Sequence, residues 1–169
     1  VISSSNVNLL NVSSRKNNTN NAQGLFGVGI YVFDSDILFN SVKVDSNNNF
    51  DHNGEGAGVY IYESDGEIMD FISTKNIGGY GTGLFIENSN INVKNSTITK
   101  NSGIVGPGIN IKRSFVNIDS TLIDSNTTTN LGIGFGGGIN IENTDYGYKV
   151  MISNSIISNN SSHNGGGIY

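Results

Sequence analysis

Cysteine and tryptophan are missing from this sequence, and proline occurs once. Without cysteine, neither a disulfide framework nor a thiolate metal site can form. Charge is scarce as well: 14% of residues are Asp, Glu, Lys or Arg, and the net charge is -5. A nucleic-acid-binding face needs clustered Lys and Arg, so the lack of any basic run argues against that class. An anionic membrane surface would repel such a chain. No apolar stretch approaches the roughly 20 residues that cross a bilayer as a helix, so this segment is not expected to insert into a membrane. There is no initiator Met and no signal-peptide pattern. The chain starts on Val1-Ile2 and stops inside a repeat, as expected of a processed chain or an excerpt from a longer repeat array.

Glycine, by contrast, is abundant at 23 residues, alongside Asn and Ser. Such a composition implies disorder unless apolar residues recur at fixed positions. Here they do. Gly27-Val28-Gly29-Ile30-Tyr31-Val32 is followed by Gly56-Ala57-Gly58-Val59-Tyr60-Ile61 and Gly81-Thr82-Gly83-Leu84-Phe85-Ile86. Gly106-Pro107-Gly108-Ile109-Asn110-Ile111 and Gly136-Gly137-Gly138-Ile139-Asn140-Ile141 continue the series, and Gly165-Gly166-Gly167-Ile168-Tyr169 ends it. A spacing of about 25 to 30 residues is the signature of a stacked repeat. Within one repeat, Leu84-Phe85-Ile86, Ile91-Asn92-Val93 and Thr97-Ile98-Thr99 alternate as short strands between Asn/Ser turns. Three strands this short cannot stand as hairpins. They fit one coil of an all-β, right-handed parallel β-helix, giving a single domain over residues 1–169 of about five to six coils.

Equivalent residues of neighbouring coils lie about 4.8 Å apart, so identical side chains stack. Asn76, Asn101 and Asn126 each follow their second glycine by 18 positions, and Asn159 occupies a similar place in a longer repeat. They are expected to form a buried amide ladder, since an amide both donates and accepts along the stack. In the second repeat, Asn47 keeps the offset, but Phe50-Asp51-His52-Asn53 competes for the same role. The extra length of the last full repeat falls near Thr144–Tyr148.

Gly-Gly-Gly-Ile at 136–139 and 165–168, with Phe50-x-x-Asn53, Ile98-x-x-Asn101, Ile123-x-x-Asn126 and Ile156-x-x-Asn159, resembles the Gly-Gly-Ala-Ile and Phe-x-x-Asn motifs of polymorphic outer-membrane protein repeats. These belong to the right-handed, pectate-lyase-like β-helix superfamily. The resemblance spans nearly the whole chain. It implies a secreted or surface-exposed β-helix, often adhesive or stalk-like, within a superfamily that also holds polysaccharide lyases, hydrolases and phage tailspikes.

No catalytic residue, metal or cofactor is expected. Sugar hydrolysis needs two carboxylates facing each other across a cleft. The best pairs by offset are Asp34/Asp36, Glu63/Asp65 and Asp119/Asp124. Asp34, Asp36 and Asp65 fall in turns, where Asp serves local hydrogen bonding, and the pairs read as turn residues. His52 and His163 read as surface residues, and two histidines without a third ligand make no metal site. Strand alternation turns Tyr31, Phe33, Tyr60, Tyr62 and Phe85 outward as an aromatic ladder. Either it is a contact surface for a glycan or a protein partner, or a loop such as 19–24 or 47–55 covers it. Glu87, Lys112 and Glu142 share one offset, as in an exposed ion ladder. Among six Asn-x-Ser/Thr sequons, Asn95, Asn11 and Asn17 are the candidate glycan acceptors.

The two ends also match. Joining Tyr169 to Val1 completes an apolar–any–apolar triplet at Val1, so copies could stack head to tail. The expectation is a non-enzymatic structural or adhesive module of an extracellular surface protein. Its partner is either a copy of itself or further repeats of the same chain. A carbohydrate-binding or carbohydrate-active β-helix is the alternative.

Overall fold

The structure, a computed structural model, describes residues 1–19, 26–49, 54–129, 134–142 and 147–169. It is an all-β parallel solenoid, with no helix among the described residues. Three sheets of six parallel strands each run along its length. The first sheet holds Ile2–Ser3, Ile30–Phe33, Val59–Tyr62, Leu84–Glu87, Ile109–Lys112 and Ile139–Glu142. The second runs from Asn6–Leu10 through Asp36–Asn40, Asp65–Met69, Asn90–Lys94 and Phe115–Asp119 to Val150–Ser153. The third runs from Ser13–Arg15 through Lys43–Asp45, Ile72–Thr74, Thr97–Thr99 and Leu122–Asp124 to Ile156–Ser158. Each winding contributes one strand to each sheet in turn.

The register is set by the apolar pairs. Leu84 pairs with Val59 on one side and Ile109 on the other, and Ile109 pairs with Ile139. All four are fully buried. A one-residue slip would turn every such side chain out to water, at about 1.5–3 kcal/mol each. Phe39 and Phe71 fill the core beside the aliphatic stacks.

The corners explain the wealth of Asn, Ser and Asp. Every sheet-to-sheet turn of the fourth winding places one residue at positive φ: Asn88 (49°), Asn95 (50°) and Lys100 (58°). The left-handed conformation costs a non-glycine residue roughly 1–2 kcal/mol. Cross-winding bonds offset it, as Asn88 N donates to Lys112 O at 3.1 Å and Asn95 N to Asp119 O at 3.2 Å. No β-branched residue occupies any of these corners among the described residues. The long connection of the last full repeat lies between Glu142 and Val150, and Thr144, Asp145 and Tyr146 fall outside the described residues.

Candidate functional site

The amide column runs through every winding. Asn17 Nδ2 donates to Asn47 Oδ1 at 2.9 Å, Asn47 to Asn76 at 3.1 Å and Asn76 to Asn101 at 2.9 Å. Asn101 then donates to Asn126, and Asn126 to Asn160, both at 3.0 Å. The second-repeat choice falls on Asn47; the competing segment 50–53 lies outside the described residues. The last rung corrects the sequence expectation: it is Asn160, not Asn159. Asn159 takes the positive-φ corner (52°) and donates to Asp124 Oδ1 at 2.7 Å. Two adjacent asparagines left the register ambiguous, and the corner geometry resolves it. Asn17, offered as a glycan acceptor, is also part of this column.

The ladder has a direction. Each backbone N–H along it donates to the Oδ1 of the following rung, as Asn76 N does to Asn101 Oδ1 at 3.0 Å and Asn101 N to Asn126 Oδ1 at 3.0 Å. Corner hydroxyls follow the same sense: Ser35 N donates to Ser64 Oγ (3.1 Å), Ser64 N to Ser89 Oγ (3.0 Å) and Ser89 N to Ser114 Oγ (3.1 Å).

The aromatic column is only partly a surface. Tyr31, Tyr60 and Phe85 pair in register, with ring centroids 5.3 Å and 4.8 Å apart. Yet Tyr60 is 4% exposed and Phe85 1%, so the structure covers two of the five rings that alternation turned outward. The cover is the glycine turn itself. Gly81, at φ +52°, lies so close to Phe85 that an added Cβ would sit 2.5 Å from the Phe85 Cβ. Beside it runs an outer column in which Phe26, Glu55, Tyr80, Val105 and Phe135 bridge one another. Phe26 packs 5.4 Å from the Tyr60 ring. Tyr31, Phe33 and Tyr62 remain half-buried, and Phe33 stacks on Tyr62 at 5.6 Å.

Burial also changes the ionic column. Glu87 is 7% exposed rather than solvated. Its Oε2 accepts from Tyr60 Oη at 2.7 Å, and its Oε1 lies 2.9 Å from Lys112 Nζ and 3.4 Å from Arg113 Nη2. Burial, then the bond to Glu87, pushes the Tyr60 hydroxyl far above its ordinary range. Burial and the nearby Glu87 charge likewise raise Glu55. Glu142 accepts from Asn140 Nδ2 at 2.7 Å. Within this packed layer on the first sheet, Glu87 is paired with the two cations Lys112 and Arg113.

The carboxylates weighed for catalysis split into two groups. Asp119 and Asp124 serve the corners. Asp119 accepts from Ser153 Oγ (2.6 Å) and Asn154 Nδ2 (2.8 Å), and Asp124 from Ser158 Oγ (2.7 Å). These bonds hold both acids below the usual carboxylate range. Asp34, Asp36, Glu63 and Asp65 instead line an open groove of about 610 Å³ where the first sheet turns into the second. The groove continues past Asn88 and Asn90 to Phe115 and Tyr148. Those two rings lie 5.4 Å apart and are 46% and 36% exposed. The groove was illegible in the sequence because its walls come from corner residues of different windings. No group of three or more His, Cys, Asp or Glu among the described residues could hold a metal ion. His163 is exposed, and His52 lies outside the described residues.

Comparison with family models, curated proteins and solved structures returned no match.

Proposed function

We propose that this chain is a structural and adhesive module of an extracellular surface protein, built to extend by stacking winding on winding. The ladder polarity carries this reading. Among the described residues Asn160 gives its Nδ2 only to Ile123 O (2.8 Å), whereas Asn126 Nδ2 also serves the next rung. At the opposite end, Asn17 donates into the stack, and its Oδ1 takes no hydrogen bond among the described residues. One end offers donors and the other an acceptor, so a further winding of the same register satisfies both. That winding comes from the same chain or from another copy. The repeat resemblance to polymorphic outer-membrane proteins supports an extracellular setting.

The junction differs in one respect from the sequence expectation. Ile2, not Val1, pairs with Val32, while Tyr169 bonds between Ile139 and Ile141. Tyr169 and Val1 therefore fall in the same column, and a head-to-tail join must displace one of them. We expect the 169-residue polypeptide to form axial oligomers, seen by sedimentation and negative-stain microscopy. Asn17→Leu is expected to shorten them while leaving the monomer's melting temperature within a few degrees of the parent. A polypeptide that stays monomeric up to millimolar concentration would remove self-stacking.

A second reading is favoured by the groove. Its carboxylates and amides accept from and donate to hydroxyls, and the exposed Phe115–Tyr148 pair offers an apolar face for a sugar ring. The half-buried Tyr31 and Tyr62 give less ring surface. Binding of a neutral oligosaccharide that falls at least tenfold in Phe115→Ala would support it. Equal binding by parent and variant on a glycan array would exclude this groove.

A further inference from the structure

The six sequons read alike in sequence, but the fold treats them differently. Asn126 is fully buried and spends both Nδ2 hydrogens, on Ile98 O at 2.9 Å and Asn160 Oδ1 at 3.0 Å. Asn160 Nδ2 donates to Ile123 O, Asn17 Nδ2 to Asn47 Oδ1 and Ser14 Oγ, and Asn159 Nδ2 to Asp124 Oδ1. Asn126 and Asn17 have both Nδ2 hydrogens in use, so a glycan there displaces a bond. Asn160 and Asn159 each spend one, and a glycan there must take the remaining hydrogen of a side chain tied to the neighbouring winding. At Asn126 it would also have to occupy the core of the stack, where a donor lost to a buried acceptor costs about 1–3 kcal/mol before any steric term.

Asn11 and Asn95 are different. Both are exposed, both sit at the positive-φ corner between the second and third sheets (φ 54° and 50°), and neither side chain makes a hydrogen bond among the described residues. Their sequon hydroxyls, on Ser13 and Thr97, open the adjoining third-sheet strands at the first position. Only the backbone N–H of each corner is committed, to Asn40 O at 3.1 Å and Asp119 O at 3.2 Å. A substituent on Nδ2 therefore disturbs no bond of the fold.

We infer that Asn11 and Asn95 are the N-glycan acceptors of this chain and that the other four sequons are closed by the fold. The inference rests on the extracellular reading above, because the co-substrate is a lipid-linked oligosaccharyl pyrophosphate of the secretory route. Transfer forms a bond between Nδ2 and the anomeric carbon and breaks that carbon's bond to the pyrophosphate oxygen. The lipid pyrophosphate leaves with the electron pair, and one amide proton passes to the transferase. The two acceptors lie on one ridge three windings apart, about 14 Å along the axis. Their glycans shield a single edge and leave the groove between the first and second sheets open.

The test is secretion of the chain behind a signal peptide from a eukaryotic host, followed by site-by-site glycopeptide mapping of the soluble fraction. Occupancy at Asn11 and Asn95 is expected, with Asn17, Asn126, Asn159 and Asn160 bare. Thr97→Ala should remove the Asn95 glycan alone, without changing the melting temperature by more than a few degrees. Secreted, cooperatively folding protein that is bare at Asn11 and Asn95 would overturn the inference. So would a glycan on Asn126 in protein that still melts like the unmodified chain. Fractionation of the source cells tests the extracellular reading separately: a surface chain bare at both sites sinks this inference alone.

Discussion

Asn101→Ala is expected to destabilise the chain by about 4–6 kcal/mol, a large share of the roughly 5–15 kcal/mol that holds an ordinary domain folded. Asn101 is 1% exposed. Its Oδ1 accepts from Asn76 N (3.0 Å) and Asn76 Nδ2 (2.9 Å), and its Nδ2 donates to Asn126 Oδ1 (3.0 Å) and Ser73 O (3.3 Å). Removing the amide strands groups on the windings to either side, and each buried orphan costs about 1–3 kcal/mol. Asn101→Asp separates the halves of the effect. It keeps the acceptors for Asn76 but loses both donors and buries a charge, so it is expected to be no better tolerated than Ala at neutral pH and to recover partly in acid. Urea titration followed by far-ultraviolet circular dichroism reads both. A loss under about 1 kcal/mol in Asn101→Ala would mean that the ladder carries no weight.

The contrast between core and surface shows what sequence could convey here. Leu84, Ile109 and Ile139 were legible because one physical demand, burial at a fixed repeat spacing, recurs in every winding. The interior amides of the ladder were legible for the same reason. The last rung was not, since Asn159 and Asn160 satisfy the spacing about equally, and only the positive-φ corner distinguishes them. The rings of Tyr60 and Phe85 were assigned correctly to the outer face of the first sheet but not to its cover. Alternation reports which side of a strand a residue takes, not what lies over that side. The cover is the glycine turn, whose path over the sheet depends on a backbone angle rather than on hydrophobic pattern. The groove was hidden for a related reason: Asp34, Glu63, Phe115 and Tyr148 meet only once the windings are stacked. Regular interior demands write themselves into sequence. Surface features assembled from irregular corner residues do not.

The same glycine of the repeat is expected to matter greatly in one winding and little in another. Gly83→Ala would place a Cβ 2.5 Å from Gly108 O, 2.8 Å from Asn101 Nδ2 and 3.0 Å from Ile98 Cγ2. The nearest of these is backbone of the adjoining winding, and the second is a rung already bonded on two sides, so neither can withdraw cheaply. The first sheet must open locally, breaking Leu84 N to Gly108 O (3.1 Å) with it. A loss of more than about 3 kcal/mol follows from overpacking joined to a broken ladder bond. Gly167 holds the equivalent place in the last winding, where the nearest atom to an added Cβ is Ile157 Cγ2 at 3.8 Å. Gly167→Ala is therefore expected to cost under about 1 kcal/mol in the monomer. The pair also reports on stacking, because a winding added beyond Gly167 brings a carbonyl to the position that Gly108 O holds above Gly83. If self-association occurs as proposed, Gly167→Ala should weaken it at least tenfold while the monomer melts normally. Equal destabilisation of the monomer by the two substitutions would show that the clash across windings is not what fixes glycine in this motif.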